Sequence, residues 1–180
     1  MKKDCLRLLS GNEPLVLDPT DGLETLGEAS DVFKYIDSNF RCWRCGVAGP
    51  PTIDTPVRIY EMVKDCTFQG MFGGFGVDLD SLALTQAQIK QFAKHRSDWL
   101  KKGGNGTFFL FKIGNEFFVA AVYFFSDGYL GVRVRKLTLE RVFQAQKRHR
   151  LVVNHVERRI RWRAVFEQPG NDPFVHLDRL

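Results

Sequence analysis

The sequence predicts an α+β fold in which N-terminal helices pack on a mainly antiparallel sheet, and three observations lead there. Residues 107–113, 116–125 and 129–137 are rich in β-branched and aromatic side chains. They are separated by Gly114-Asn115 and Ser126-Asp127-Gly128, the residues of tight hairpin turns, so a three-stranded meander over about 107–137 is expected. Upstream, Thr85-Gln86-Ala87-Gln88 fits the reciprocal capping box that opens a helix. Helical signals first and strand signals after is the pattern of segregated layers.

Taken in order, residues 1–30 hold turn signals at Gly11-Asn12-Glu13-Pro14 and Asp18-Pro19-Thr20-Asp21-Gly22, which frame the apolar run Leu15-Val16-Leu17. A short strand in an irregular acidic arm follows from that. Ser30 or Asp31 can cap a short helix carrying Val32, Phe33 and Ile36. Thr55 before Pro56 suits a helix start, and Ile59, Met62, Val63 and Cys66 then share one helical face, so a helix over 56–66 is expected. The capping box opens a helix over 85–102, with Ile89, Phe92, Ala93, Trp99 and Leu100 as its apolar stripe and Gly103-Gly104 as its stop. After the meander, Thr138 and Glu140 suggest a helix to about His149. Residues 151–153 and 160–166 read as C-terminal strands. The organisation expected is an acidic arm over 1–30, one α+β domain over 30–166 and a tail over 167–180.

Composition narrows the class. A chain of 180 residues with 44% hydrophobic and 26% charged side chains can bury roughly 70% of its unfolded surface, so collagenous, disulfide-scaffold and wholly disordered readings drop out. The longest apolar run, residues 117–125, is about half the roughly 18 residues that a membrane-spanning helix needs. The basic start, Met1-Lys2-Lys3, meets Ser10-Gly11-Asn12-Glu13 before any apolar signal core forms. A cytoplasmic protein without membrane attachment is expected.

The net charge of +5 hides two opposed blocks. Residues 8–33 carry Glu13, Asp18, Asp21, Glu24, Glu28 and Asp31 with no Lys or Arg. Residues 133–163 carry eleven cations against Glu140 and Glu157, a net of +9, and nine of the eleven are arginine. Arginine suits bidentate phosphate contact and stacking on bases. The block is therefore read as a polyanion surface, with Arg133, Arg135, Arg148, Arg150, Arg158, Arg159, Arg161 and Arg163 as the candidate nucleic-acid-binding residues. Two other readings stand beside it, a solvated surface and a face neutralised by the acidic arm.

The stretches Ile59-Tyr60-Glu61-Met62-Val63-Lys64-Asp65, Leu84-Thr85-Gln86-Ala87-Gln88-Ile89, Gly106-Thr107-Phe108-Phe109-Leu110-Phe111-Lys112 and Arg148-His149-Arg150 have a specific wording. Over about 55–153 the chain resembles a group of uncharacterised bacterial proteins with IYEMVKDGTF-type and GTFFLFKVGDEFFVA-type motifs. That resemblance implies a bacterial source and one compact unit, and it brings no activity, cofactor or catalytic residue.

Other motifs weigh less. Cys42-Trp43-Arg44-Cys45 has the spacing of zinc hooks and redox pairs, yet a tetrahedral zinc site needs two further ligands. Cys5 and Cys66 are isolated in sequence and His95, His149, His155 and His176 show no paired spacing, so no metal or cofactor is expected. Residues 70–76 lack the Gly-Lys-Ser/Thr of a phosphate loop and read as a mobile turn. Asp78-Leu79-Asp80 begins like a calcium loop, but Leu82 and Ile89 stand where oxygen ligands are needed. The aromatics of the meander point to both sheet faces, which calls for burial on both or leaves one face for a partner or stacked bases. His149 and His155 among the arginines admit a small endoribonuclease as an alternative. The leading expectation is a non-enzymatic binding protein that contacts nucleic acid, RNA favoured. A protein-interaction module meeting an acidic partner is the rival.

Overall fold

Along residues 4–155, which the computed structural model describes, the strands are β1 (Leu6–Leu8), β2 (Leu15–Leu17), β3 (Tyr35–Ile36), β4 (Thr55–Met62), β5 (Thr107–Ile113), β6 (Glu116–Phe124), β7 (Leu130–Lys136) and β8 (Arg150–Asn154). The helices are α1 (Asn39–Cys42), α2 (Phe68–Gly73) and α3 (Gln86–His95). They build a mixed α/β fold with one large sheet and few helices. The sheet order is β1-β4-β8-β5-β6-β7-β3, with β2 also pairing β4. Pairing is antiparallel except at β5 with β8 and β3 with β7. The meander lies where its turns place it, Phe111 opposite Phe118 and Ala121 opposite Arg133.

Strand alternation divides the apolar side chains between two cores. On one face Val57, Ile59, Phe109, Phe111, Val122, Val134 and Val152 pack with Ile89 and Phe92 of α3 and with Leu17, Leu26 and Phe33 of the acidic stretch. On the other, Met62, Phe108, Leu110, Val119, Ala121 and Leu151 pack with Phe68, Met71 and Phe72 of α2 and with Phe143. Both faces of the central strands are covered. Each buried large side chain contributes roughly 1.5–3 kcal/mol of transfer free energy, so the two cores, rather than the short helices, carry the stability.

The arrangement of N-terminal helices on a sheet does not hold, and 56–66 is the main correction. These residues form the inner strand β4, flanked by β1 and β2 on one side and β8 on the other. Its side chains alternate between the two cores, Val57 and Ile59 to one and Tyr60 and Met62 to the other. A strand apolar on both faces shows no polar alternation, and its apolar positions fall by coincidence on a helical stripe. Pro56 is tolerated near the strand start, where its carbonyl accepts from the His155 N–H at 2.7 Å.

Three further elements differ. Residues 31–36 form no helix, because the N–H groups of Lys34 and Asp37 donate to the carbonyls of Leu130 and Val132 and draw β3 onto the edge of β7. Residues 138–149 form only a single 3-10 turn, Ala145–Lys147. The loop at 70–76 is largely helical, since Thr67 caps α2 by accepting from the Gly70 N–H. Gly70 is required there, because a Cβ would lie 2.6 Å from the Cys66 sulfur. The capping box at Thr85 forms as read, with both reciprocal bonds present. Its helix stops at His95 and the 3-10 turn Ser97–Trp99 replaces the remainder. No helix among the described residues is long and apolar enough to cross a membrane. The strand read at 160–166 and the tail lie outside the described residues.

Candidate nucleic-acid interface

Alternation along β6 and β7 sends Tyr123 and Arg133 to one face at the edge of the second core. The Arg133 guanidinium stands 5.4 Å from the Tyr123 ring centre and 6.0 Å from that of Phe125. Beyond β7, Phe143 exchanges both backbone hydrogen bonds with Cys66, at 3.1 and 2.8 Å, and the Ala145 N–H donates to Asp65 Oδ1 at 2.7 Å. These anchors take up the backbone groups that a helix over 138–149 would have used. They hold Arg141, 5.5 Å from the Phe143 ring, and Lys147 in one loop.

His149 closes the inner end. It is 8% exposed, stacks on Phe108 at 4.8 Å and meets the edge of Phe143 at 5.5 Å. The Gly106 N–H donates to Nδ1 at 2.9 Å, the shorter of two contacts, with the Gly106 carbonyl at 3.3 Å. Burial holds the imidazole pKa below its ordinary value, with Arg141, Lys147 and Lys101 acting in the same direction and the Gly106 backbone opposing. A side chain at Gly106 would be crowded, since its Cβ would lie 2.7 Å from Phe108 and 2.9 Å from Tyr123. Burial likewise raises the Tyr123 phenol against the pull of Arg133, Arg135 and Arg141, so the hydroxyl keeps its proton.

Together these residues line a cleft of about 460 Å³, with Asn105 and Gln144 among its polar groups and no carboxylate in its lining. A recess of about 470 Å³ over Tyr123, Phe124 and Phe125 adjoins it and shares Arg133. A third, of about 560 Å³, continues past Arg133 to Lys34, Tyr35 and Arg135. Among the described residues, no ion pair engages Arg133, Arg141 or Lys147, and none joins residues 8–33 to them. Glu24 and Asp31 pair with Lys90 of α3 instead, and Asp31 also with Lys94. The acidic stretch is tied to the far side of the sheet by these contacts and by Leu17 and Leu26.

The sequence-predicted arginines separate by role. Arg133 is exposed in the groove and Arg148 is exposed in the left-handed region at φ 46°. Arg135 donates to Asp37 at 2.8 Å. Arg150 turns inward and donates to the Trp99 carbonyl at 2.7 Å, which makes it a clamp between β8 and the turn after α3. Arg158, Arg159, Arg161 and Arg163 lie outside the described residues. Sequence reasoning missed Arg141, Lys147 and Tyr123 as site residues. Both cations belonged to the basic block, but a helical reading of 138–149 gave them no common direction.

Elsewhere the chemistry is thinner. A cavity of about 760 Å³ beside α1 mixes Glu28 and Asp37 with Arg41 and Arg44 and so has no one-sided charge. Its Cys42 is exposed while Cys45 is buried, and both are free thiols. Among the described residues no three His, Cys, Asp or Glu side chains gather as a metal site. His149 and His155 flank the two ends of β8, about 20 Å apart at the strand rise of about 3.3 Å per residue, so they do not form an acid–base pair. No protein-family model, no curated protein and no solved structure matches this chain.

Proposed function

We propose that the chain is a nucleic-acid-binding protein, without catalysis, that holds single-stranded nucleic acid in the groove running from the cleft at His149 past Arg133 to Tyr35. The supporting observation is that Arg133, Arg141 and Lys147 line a carboxylate-free cleft that opens onto partly exposed aromatic rings. Cations that track phosphates, beside rings on which bases stack, are the two components of single-strand binding. RNA is favoured because it commonly presents unstacked bases and free ends. The proposal moves the centre of the site from the arginines of the strands to the loop 141–147. Arg158, Arg159, Arg161 and Arg163 enter it on their sequence alone.

Fluorescence anisotropy with a labelled single-stranded RNA at low salt tests this. Arg141→Glu with Lys147→Glu should weaken binding at least tenfold, because each charge-assisted contact is worth about 1.5–3 kcal/mol. The same pair of changes should leave the thermal midpoint nearly unaltered, since both side chains are exposed. Absence of association with any nucleic acid at micromolar protein would reject the reading and pass the groove to an acidic protein partner.

A further inference from the structure

We infer that the cleft takes the phosphomonoester terminus of a strand rather than an internal phosphate, with the terminal base on the adjoining aromatic recess. The inference rests on the nucleic-acid reading above and specifies which part of the ligand the cleft holds.

Charge is the first ground. An internal phosphodiester carries one negative charge, whereas a terminal phosphomonoester approaches two at neutral pH and offers three acceptor oxygens. Arg133, Arg141 and Lys147 line one cleft with no carboxylate in the lining to offset them, which exceeds what a single diester neutralises. The polar lining is otherwise rich in donors. Asn105 and Gln144 bring amide N–H groups, Tyr123 keeps its hydroxyl proton, and the His149 imidazole closes the lining.

Shape is the second. The inner end is backed by Phe143 and by His149 stacked on Phe108, and Phe143 is fixed by its two bonds to Cys66. The outer side leads to the recess over Tyr123, Phe124 and Phe125, which shares Tyr123, Arg133 and Gly104 with the cleft. A phosphate seated beside Arg141 and Lys147 thus has its own nucleoside next to an aromatic wall. Volumes of about 460 and 470 Å³ fall in the ordinary range for small-ligand sites, enough for one phosphate group and one base.

The experiment compares one short oligoribonucleotide prepared with a 5′-phosphate, with a 3′-phosphate and with hydroxyls at both ends, by anisotropy competition against the full chain. One of the two phosphorylated forms should compete at least tenfold better than the hydroxyl form, and its end names the polarity. Arg141→Gln with Lys147→Gln should abolish that difference, with all three forms competing alike and more weakly than the favoured form does against the wild type. A nucleoside monophosphate should displace the probe where the parent nucleoside does not. Equal competition by all three oligonucleotides overturns the inference and leaves the nucleic-acid reading standing. Failure of every form to bind rejects both.

Discussion

His149 shows how a single residue links the fold to the groove. Its ring is packed between Phe108 and Phe143, and burial, with Arg141, Lys147 and Lys101 nearby, makes the folded chain resist protonating it. The folded-state pKa lies below 6.5, and the unfolded chain therefore takes up the proton first as pH falls. Stability is full above pH 6.5 and is lost as pH drops from there through the folded-state value. Denaturant titrations across that window should show the loss in the wild type. His149→Gln should remove this part of the acid slope, and an unchanged slope would refute the assignment.

Thiols give a second residue-scale expectation. Burial, together with the Cys66 thiol beside it, pushes Cys5 up to about 12, and burial also raises Cys45. Cys42 is exposed. Since the thiolate is the reactive form, mass-spectrometric mapping after brief maleimide treatment at pH 8 should find Cys42 modified first and Cys5 and Cys45 spared. Early labelling of Cys5 would contradict its burial in the second core.

At the scale of elements, α3 is the clearest case of a helix legible in advance. Thr85 and Gln88 satisfy each other's backbone groups as the local motif requires. Thr85→Ala should cost about 1 kcal/mol, seen as a fall in thermal midpoint of about 2–4 °C. A loss of that size with unchanged nucleic-acid affinity is expected, because α3 covers the face opposite the groove.

The meander and the strand after it were legible for a similar reason, since Asn, Gly and Asp at 114–115 and 126–128 act within a few residues. What stayed hidden depends on distant partners. β4 reads as a helix because its neighbours β1, β2 and β8 come from both ends of the chain, and only their pairing shows why Tyr60 and Ile59 are both buried. The loop 141–147 is held by Asp65 and Cys66, nearly eighty residues earlier, so neither its shape nor the convergence of Arg141 and Lys147 with Arg133 is written locally. Charge bias pointed to the basic block, and tertiary anchors decide which of its described cations line the cleft without an ion pair. Arg135 and Arg150 were drawn into internal contacts, which no count of arginines reveals.

For the molecule as far as it is described, the acidic stretch and the cations Arg133, Arg141 and Lys147 sit on different sides of one sheet. Leu17, Leu26 and Phe33 bury the acidic stretch over α3, while the groove lies at the β6–β7 end of the other face. Under the proposed function, that separation leaves these cations to attract polyanions and makes binding a matter of counterion release. The most direct measurement is the dependence of RNA affinity on salt. For single strands the slope of log K against log salt is about −0.7 per neutralised phosphate charge, so a terminal phosphate of one to two charges held by Arg133, Arg141 and Lys147 accounts for about −0.7 to −1.4, with any further cations of the C-terminal segment steepening it. Replacing these three with Gln should flatten the slope by that amount while the fold persists. A slope unaffected by the replacement, or an affinity that does not vary with salt, would contradict the account.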